Sequence, residues 1–126
     1  MVRIKTLTTI AALLAFAGAP SAFAHEAAKG VNGGWRVDAG AYHTEVVTDG
    51  TATVTVYLSD VNDKPLPAAG FKGNAILVID GKTQKFALEP VDGSKLVGTA
   101  PAPVKPGVKG AIQITAPDGT TAQGKL

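Results

Sequence analysis

Residues 41–59 read Ala41-Tyr42-His43-Thr44-Glu45-Val46-Val47-Thr48-Asp49-Gly50-Thr51-Ala52-Thr53-Val54-Thr55-Val56-Tyr57-Leu58-Ser59. Two runs rich in β-branched and aromatic residues flank an Asp-Gly pair, which is the pattern of a β-hairpin. The register depends on where a charge falls. A two-residue turn at Asp49-Gly50 pairs Val47 with Ala52, sets His43 opposite Val56 and Glu45 opposite Val54, and presses a carboxylate into the apolar row. Adding Thr48 to the loop, with Gly50 in the left-handed conformation, flips every side chain to the other face. Tyr42, Thr44 and Val46 then share a face with Ala52, Val54 and Val56, while His43 and Glu45 face Thr55 and Thr53. An unpaired, desolvated carboxylate costs roughly several kcal/mol. The second register is therefore predicted, with His43 and Glu45 on a polar, solvent-facing strip beside Thr53, Thr55 and Tyr57.

Working outward, Asp-Gly recurs at residues 80–81, 92–93 and 118–119, each time between β-prone segments. Strands are predicted over Trp35–Ala39, Ala41–Val47, Thr51–Ser59, Asn74–Ile79, Thr83–Leu88, Lys95–Thr99, Ala111–Ala116 and Thr120–Lys125. No stretch after residue 24 carries a helical period. Pro65, Pro67, Pro101, Pro103 and Pro106 fall between strands, where a missing N–H costs no ladder bond. Short strands at this spacing, in about a hundred residues, predict an all-β fold: a small antiparallel β-sandwich, immunoglobulin-like, of about seven to eight strands. Trp35 is expected to start the first core strand and plug one end of the sandwich.

The N-terminus reads as a secretory signal peptide over residues 1–24. Arg3 and Lys5 form a positive start, residues 7–19 an apolar stretch, and Ala22-Phe23-Ala24 a small-x-small cleavage pattern. Cleavage there leaves His25 as the mature N-terminus, residues 25–33 as a flexible leader and residues 34–126 as the sandwich domain. The apolar stretch is too short to span a bilayer stably, and no second one follows, so a soluble mature chain without membrane insertion is expected. The chain lacks cysteine, which excludes a lipid-anchored cysteine and a disulfide framework, and a bacterial periplasm is the expected compartment. Arg3 and Lys5 are two of the 12 basic residues, so their removal leaves the basic residues equal to the 10 acidic ones. No Lys/Arg cluster remains to suggest nucleic acid as a partner.

A mature N-terminal histidine offers its α-amine and ring Nδ1 as a chelating pair, and a second imidazole completes a nitrogen site suited to Cu(II). The chain has two histidines, His25 and His43. Glu45, Asp38 or Asp60 are the candidate oxygen ligands, with Glu45 placed first by its position on the His43 strip. The structural alternative is that His43 is a surface strand residue paired with Glu45. Enzyme chemistry is not expected: there is no cysteine nucleophile, no H-E-x-x-H and no G-x-S-x-G. Asp60-Val61-Asn62-Asp63 lacks the glycine and closing glutamate of a calcium loop and reads as a polar turn.

Gly33-Gly34, Tyr42-His43-Thr44-Glu45, Val56-Tyr57-Leu58-Ser59-Asp60, Lys64-Pro65 and Pro117-Asp118-Gly119-Thr120-Thr121-Ala122-Gln123 together resemble a small periplasmic domain associated with bacterial heavy-metal efflux and copper-responsive loci. The resemblance covers most of the mature chain. It implies histidines at two further positions, where this chain has Asn32 and Val61. The function it implies is a copper-binding accessory of metal resistance or delivery, with a heavy-metal efflux component as partner and His25, His43 and Glu45 as ligands. The reading from a different class is a non-metal interaction module that docks onto an efflux or envelope partner through an edge strand or the polar strip. A third is carbohydrate or peptide binding through Tyr57 and Trp35.

Overall fold

The computed structural model describes residues 28–126, so the expected signal peptide and His25 lie outside the described residues. Nine strands follow one another with no helix among the described residues: β1 Ala28–Lys29, β2 Trp35–Ala39, β3 Tyr42–Thr48, β4 Thr53–Ser59, β5 Lys72–Ile79, β6 Lys82–Pro90, β7 Lys95–Thr99, β8 Lys109–Thr115 and β9 Thr121–Lys125. β2 to β9 match the eight predicted strands to within two residues at each end. β1 comes from the segment expected to be a leader, and pairs Ala28 with Arg36 and Lys29 with Trp35.

All pairings are antiparallel, in the order β1-β2-β3-β4-β7-β6-β5-β8-β9, and the sheet curls into a half-barrel. The curl brings the last strand against the second: a Cβ on Gly124 would lie 2.6 Å from Val37 Cγ1 and 2.8 Å from the Asp38 carbonyl oxygen. β6 joins the two halves, pairing with β5 through Leu88 and with β7 at Glu89 and Pro90. Alternate residues point inward and fill the interior with Val54, Val56, Leu58, Leu77, Leu88, Leu96, Ile112 and Ile114. At one end of this interior, Tyr42 and Phe71 meet edge to face with ring centroids 5.5 Å apart.

Asp80-Gly81 is the tight two-residue hairpin turn that its sequence signals, with φ of 51° and 77° and Ile79 paired with Lys82. Asp49-Gly50 is not. The predicted faces hold, because Thr44 and Val46 are buried with Val54, Val56 and Leu58. The partners are displaced, however: His43 pairs with Ser59 and Glu45 with Tyr57, not with Thr55 and Thr53. The loop between the last ladder pair, Thr48 and Val54, is five residues long. Its backbone groups find partners elsewhere, since Gly50 N donates to Val104 O, Val104 N to Thr51 O and Ala100 N to Ala52 O. The proline-rich segment after β7 thus draws residues 50–52 out of the hairpin ladder, and Gly50 keeps the expected positive φ of 88°.

Trp35 also departs from expectation. It starts β2 on the inward-facing side, yet it stays 44% exposed and sits with Val108, Lys109 and Leu126 around a shallow depression. The strand begins where the interior ends, so the indole covers the core without being enclosed by it.

Candidate functional site

The site lies on the outward face of β2, β3 and β4. A two-residue connection, Gly40-Ala41, pairs Ala39 with Tyr42, so Asp38 comes opposite His43 and Arg36 opposite Glu45. From β4, Ser59 and Tyr57 continue those two rows. Two loops wall this face. On one side, Asp60 Oδ1 accepts from Asn62 N at 2.8 Å and Lys64 N at 3.0 Å, and Asp63 takes a positive φ of 63°. This is the polar turn read from the sequence, and its hydrogen bonds aim the Asp63 carboxylate back at the sheet. On the other side runs the turn from Gly30 to Gly34. Between them is a cleft of about 180 Å³, lined by Lys29, Asn32, Arg36, His43, Tyr57 and Asp63 among others.

At the cleft floor the His43 side chain is 16% exposed and ringed by charge. Its Nδ1 is 2.8 Å from Asp63 Oδ1, and its Nε2 is 3.4 Å from Asp38 Oδ1. Arg36 Nη2 lies 2.6 Å from the same Asp63 oxygen and touches the ring at Nδ1. One ring nitrogen cannot both donate to Asp63 and accept from Arg36. The shared acceptor, Asp63 Oδ1, therefore holds guanidinium and imidazole together. The hydrogen bond from His43, with the positive charge of Arg36, keeps the Asp63 carboxyl below the usual aspartate range.

Glu45 turns away from this cluster. Expected on a solvent-facing strip, it is 7% exposed, because the turn from Gly30 to Gly34 closes over it. Its Oε2 accepts from Asn32 N and Gly34 N, each at 2.9 Å, and its Oε1 accepts from Asn32 N and Asn32 Nδ2, each at 3.1 Å. Those donors replace water around the charge, which is why a carboxylate can be covered here. The fit is tight: a Cβ on Gly30 would lie 2.1 Å from Glu45 Cδ.

The structure thus brings His43 together with Asp38 and two residues that sequence reasoning passed over, Arg36 and Asp63. It points Glu45 at Asn32 and Gly34 instead, and His25 lies outside the described residues. Asp60, the other candidate oxygen ligand, is engaged in shaping its own loop. Among the described residues, no group of three or more His, Asp or Glu side chains is arranged to hold a metal ion, and no helix is long and apolar enough to cross a membrane. Comparison with known protein families, curated proteins and solved structures finds no match to this chain.

Proposed function

We propose that this is an exported copper-binding accessory protein of bacterial metal resistance or delivery, working in the periplasm beside a heavy-metal efflux component. His25, freed by signal cleavage, supplies its amine and ring, and His43 supplies a third nitrogen. The observation that carries the reading is the position of β1. Ala28 pairs with Arg36 on β2, which itself adjoins β3 and His43. Three residues of extended chain reach about 10 Å, and two strand spacings also come to roughly 10 Å. A chain segment of that length matches the separation between β1 and β3. In this reading copper takes His43 Nε2, where Asp38 Oδ1 stands 3.4 Å away, while Asp63 on Nδ1 orients the imidazole. We also read the curled sheet as an immunoglobulin-like sandwich, with β6 crossing between its layers.

The test begins with secreted protein whose intact mass shows a chain starting at His25, titrated with Cu(II). His43→Ala and a one-residue extension ahead of His25 are each expected to weaken binding by at least about tenfold, or 1.4 kcal/mol. Unchanged affinity in both variants sinks the reading. A second reading, an interaction module, draws on two exposed valines on the loops that wall the cleft: Val31 at 99% and Val61 at 61% exposure. Its signature is a partner from the efflux or envelope machinery whose capture ignores chelator.

A further inference from the structure

We infer that the outward face of β5, β6, β8 and β9 is a docking surface for an anionic phospholipid bilayer, on which the protein adsorbs through Lys72, Lys85, Lys109 and Lys125 without entering it. The inference goes beyond the copper reading and does not depend on what the cleft binds.

These lysines are scattered along the chain, and the register of the sheet gathers them. Lys85 on β6 pairs with Ile76 on β5, Ile76 with Ala111 on β8, and Ala111 with Lys125 on β9, so one row across the strands carries a lysine at each end. The strand spacing sets those two about 14 Å apart. Lys109 stands opposite Val78 and Lys72 opposite Thr115, about 20 Å away along β5. Alternation turns all of them away from Leu77, Leu88 and Ile112 in the core, and all are exposed. No acidic residue occurs in β5, β8 or β9. Asp80 and Asp118 lie in turns at the ends of the face, and Glu89 lies where β6 leaves for β7. On the half of the sheet that carries the cleft, by contrast, Asp38 and Glu45 interleave with Arg36 and His43. The lysine face is thus of one sign, and it attracts an anionic surface over roughly 10 Å at 0.1 M salt.

What the lysines surround decides the kind of anion. Ile76 and Val78, the latter 45% exposed, occupy the space between them. Lysine stems lie along such apolar area while their ammonium groups reach phosphate oxygens. The face has no arginine for bidentate readout, and Phe86, the one ring in these strands, points inward opposite Ala75. Nucleic acid therefore lacks the fork and the stacking platform it uses. Point charges around an apolar centre match a bilayer surface, where each lysine close to anionic headgroups strengthens attachment about fivefold. Adsorption through this face leaves the cleft, on the other half of the sheet, open to solvent.

The test sediments the secreted protein, at low salt and with chelator present, with vesicles of phosphatidylcholine alone or of phosphatidylcholine and phosphatidylglycerol in equal parts. Binding to the mixed vesicles alone is expected, and added salt is expected to release it. Lys85→Gln combined with Lys125→Gln is expected to weaken it by at least about tenfold. Lys29→Gln combined with Lys64→Gln removes the same charge from exposed residues beside the cleft, and is expected to change it by less than about twofold. All of these are surface substitutions that leave the fold intact. The inference is overturned by a failure to bind the mixed vesicles, by equal binding to both kinds, or by equal losses in the two double variants. Retention on a short DNA duplex without sedimentation on vesicles overturns it too, and assigns the face to nucleic acid.

Discussion

Gly98→Ala probes the place where the sheet bends. Gly98 lies in β7 opposite Val54, and β6 passes close beside it before crossing from one half of the sheet to the other. A methyl at Gly98 would lie 2.4 Å from the Ala87 carbonyl oxygen, 2.9 Å from Leu88 Cδ2 and 3.1 Å from Phe86 Cδ2. The two side-chain atoms can rotate aside, but the carbonyl belongs to the β6 backbone and moves only if the strands part. Overpacking of this kind typically costs about 1–3 kcal/mol, and a backbone obstacle puts it near the top of that range. Against this, replacing glycine within a strand recovers about 0.5–1 kcal/mol of conformational entropy. The balance is a destabilisation of about 2 kcal/mol, which in a domain of about a hundred residues lowers Tm by roughly 10 °C. Thermal unfolding of wild type and variant, followed by circular dichroism and checked by urea titration, measures it. A Tm unchanged to within about 2 °C, or raised, refutes the close approach of β6 to β7 on which the curl depends.

Asp63 gives a pH signature. Its carboxyl is held below its ordinary value of 3.8, so the bonds it makes to His43 and Arg36 contribute stability that is complete above that value and lost as pH falls through the lower native one. Nuclear magnetic resonance between pH 6 and pH 2 (about the range needed to cover a carboxylate titration) is expected to show Asp63 titrating below 3.8 while the loop from Asp60 to Lys64 loosens. An Asp63 midpoint at or above 3.8 contradicts the cluster. Trp35, the only tryptophan and 44% exposed, is expected to show red-shifted emission that acrylamide quenches readily. Blue-shifted, unquenched emission places it in the core instead.

The strands were legible because local sequence sets them: alternation of Val, Leu and Ile with polar residues fixes face, and Asp-Gly marks turns. Partnership was legible only where the turn was tight. Asp80-Gly81 set its own register, whereas the loop at Asp49-Gly50 answered to Val104 and Ala100, some fifty residues away, and no local pattern announces such a partner. The argument that Glu45 must avoid an unpaired, buried state was sound physics with too narrow a conclusion. It chose the outward face correctly, but exposure to water is not the only remedy for a carboxylate. Asn32, in the segment read as a flexible leader, and Gly34, the first residue beyond it, provided the N–H donors. Arg36 and Asp63 were missed for a related reason. The short connection at Gly40-Ala41 would have set Asp38 beside His43, and Arg36 two residues back on the same face; only the reversal of chain after Asp60 brings Asp63 to them.

The strand that belongs to both halves of the sheet has a kinetic consequence. β6 is one continuous backbone from Lys82 to Pro90, so β5 cannot peel away without pulling on the pairing of Glu89 and Pro90 with β7. The halves are thus expected to unfold together, in one transition seen alike by different probes. The same wiring delays assembly. β4 must find β7 across some forty intervening residues before its half is closed, and contacts so distant along the chain put folding in the range of roughly milliseconds to seconds. A freshly made chain therefore spends that interval with β4 and β7 unpaired and their ladder groups open to other partners.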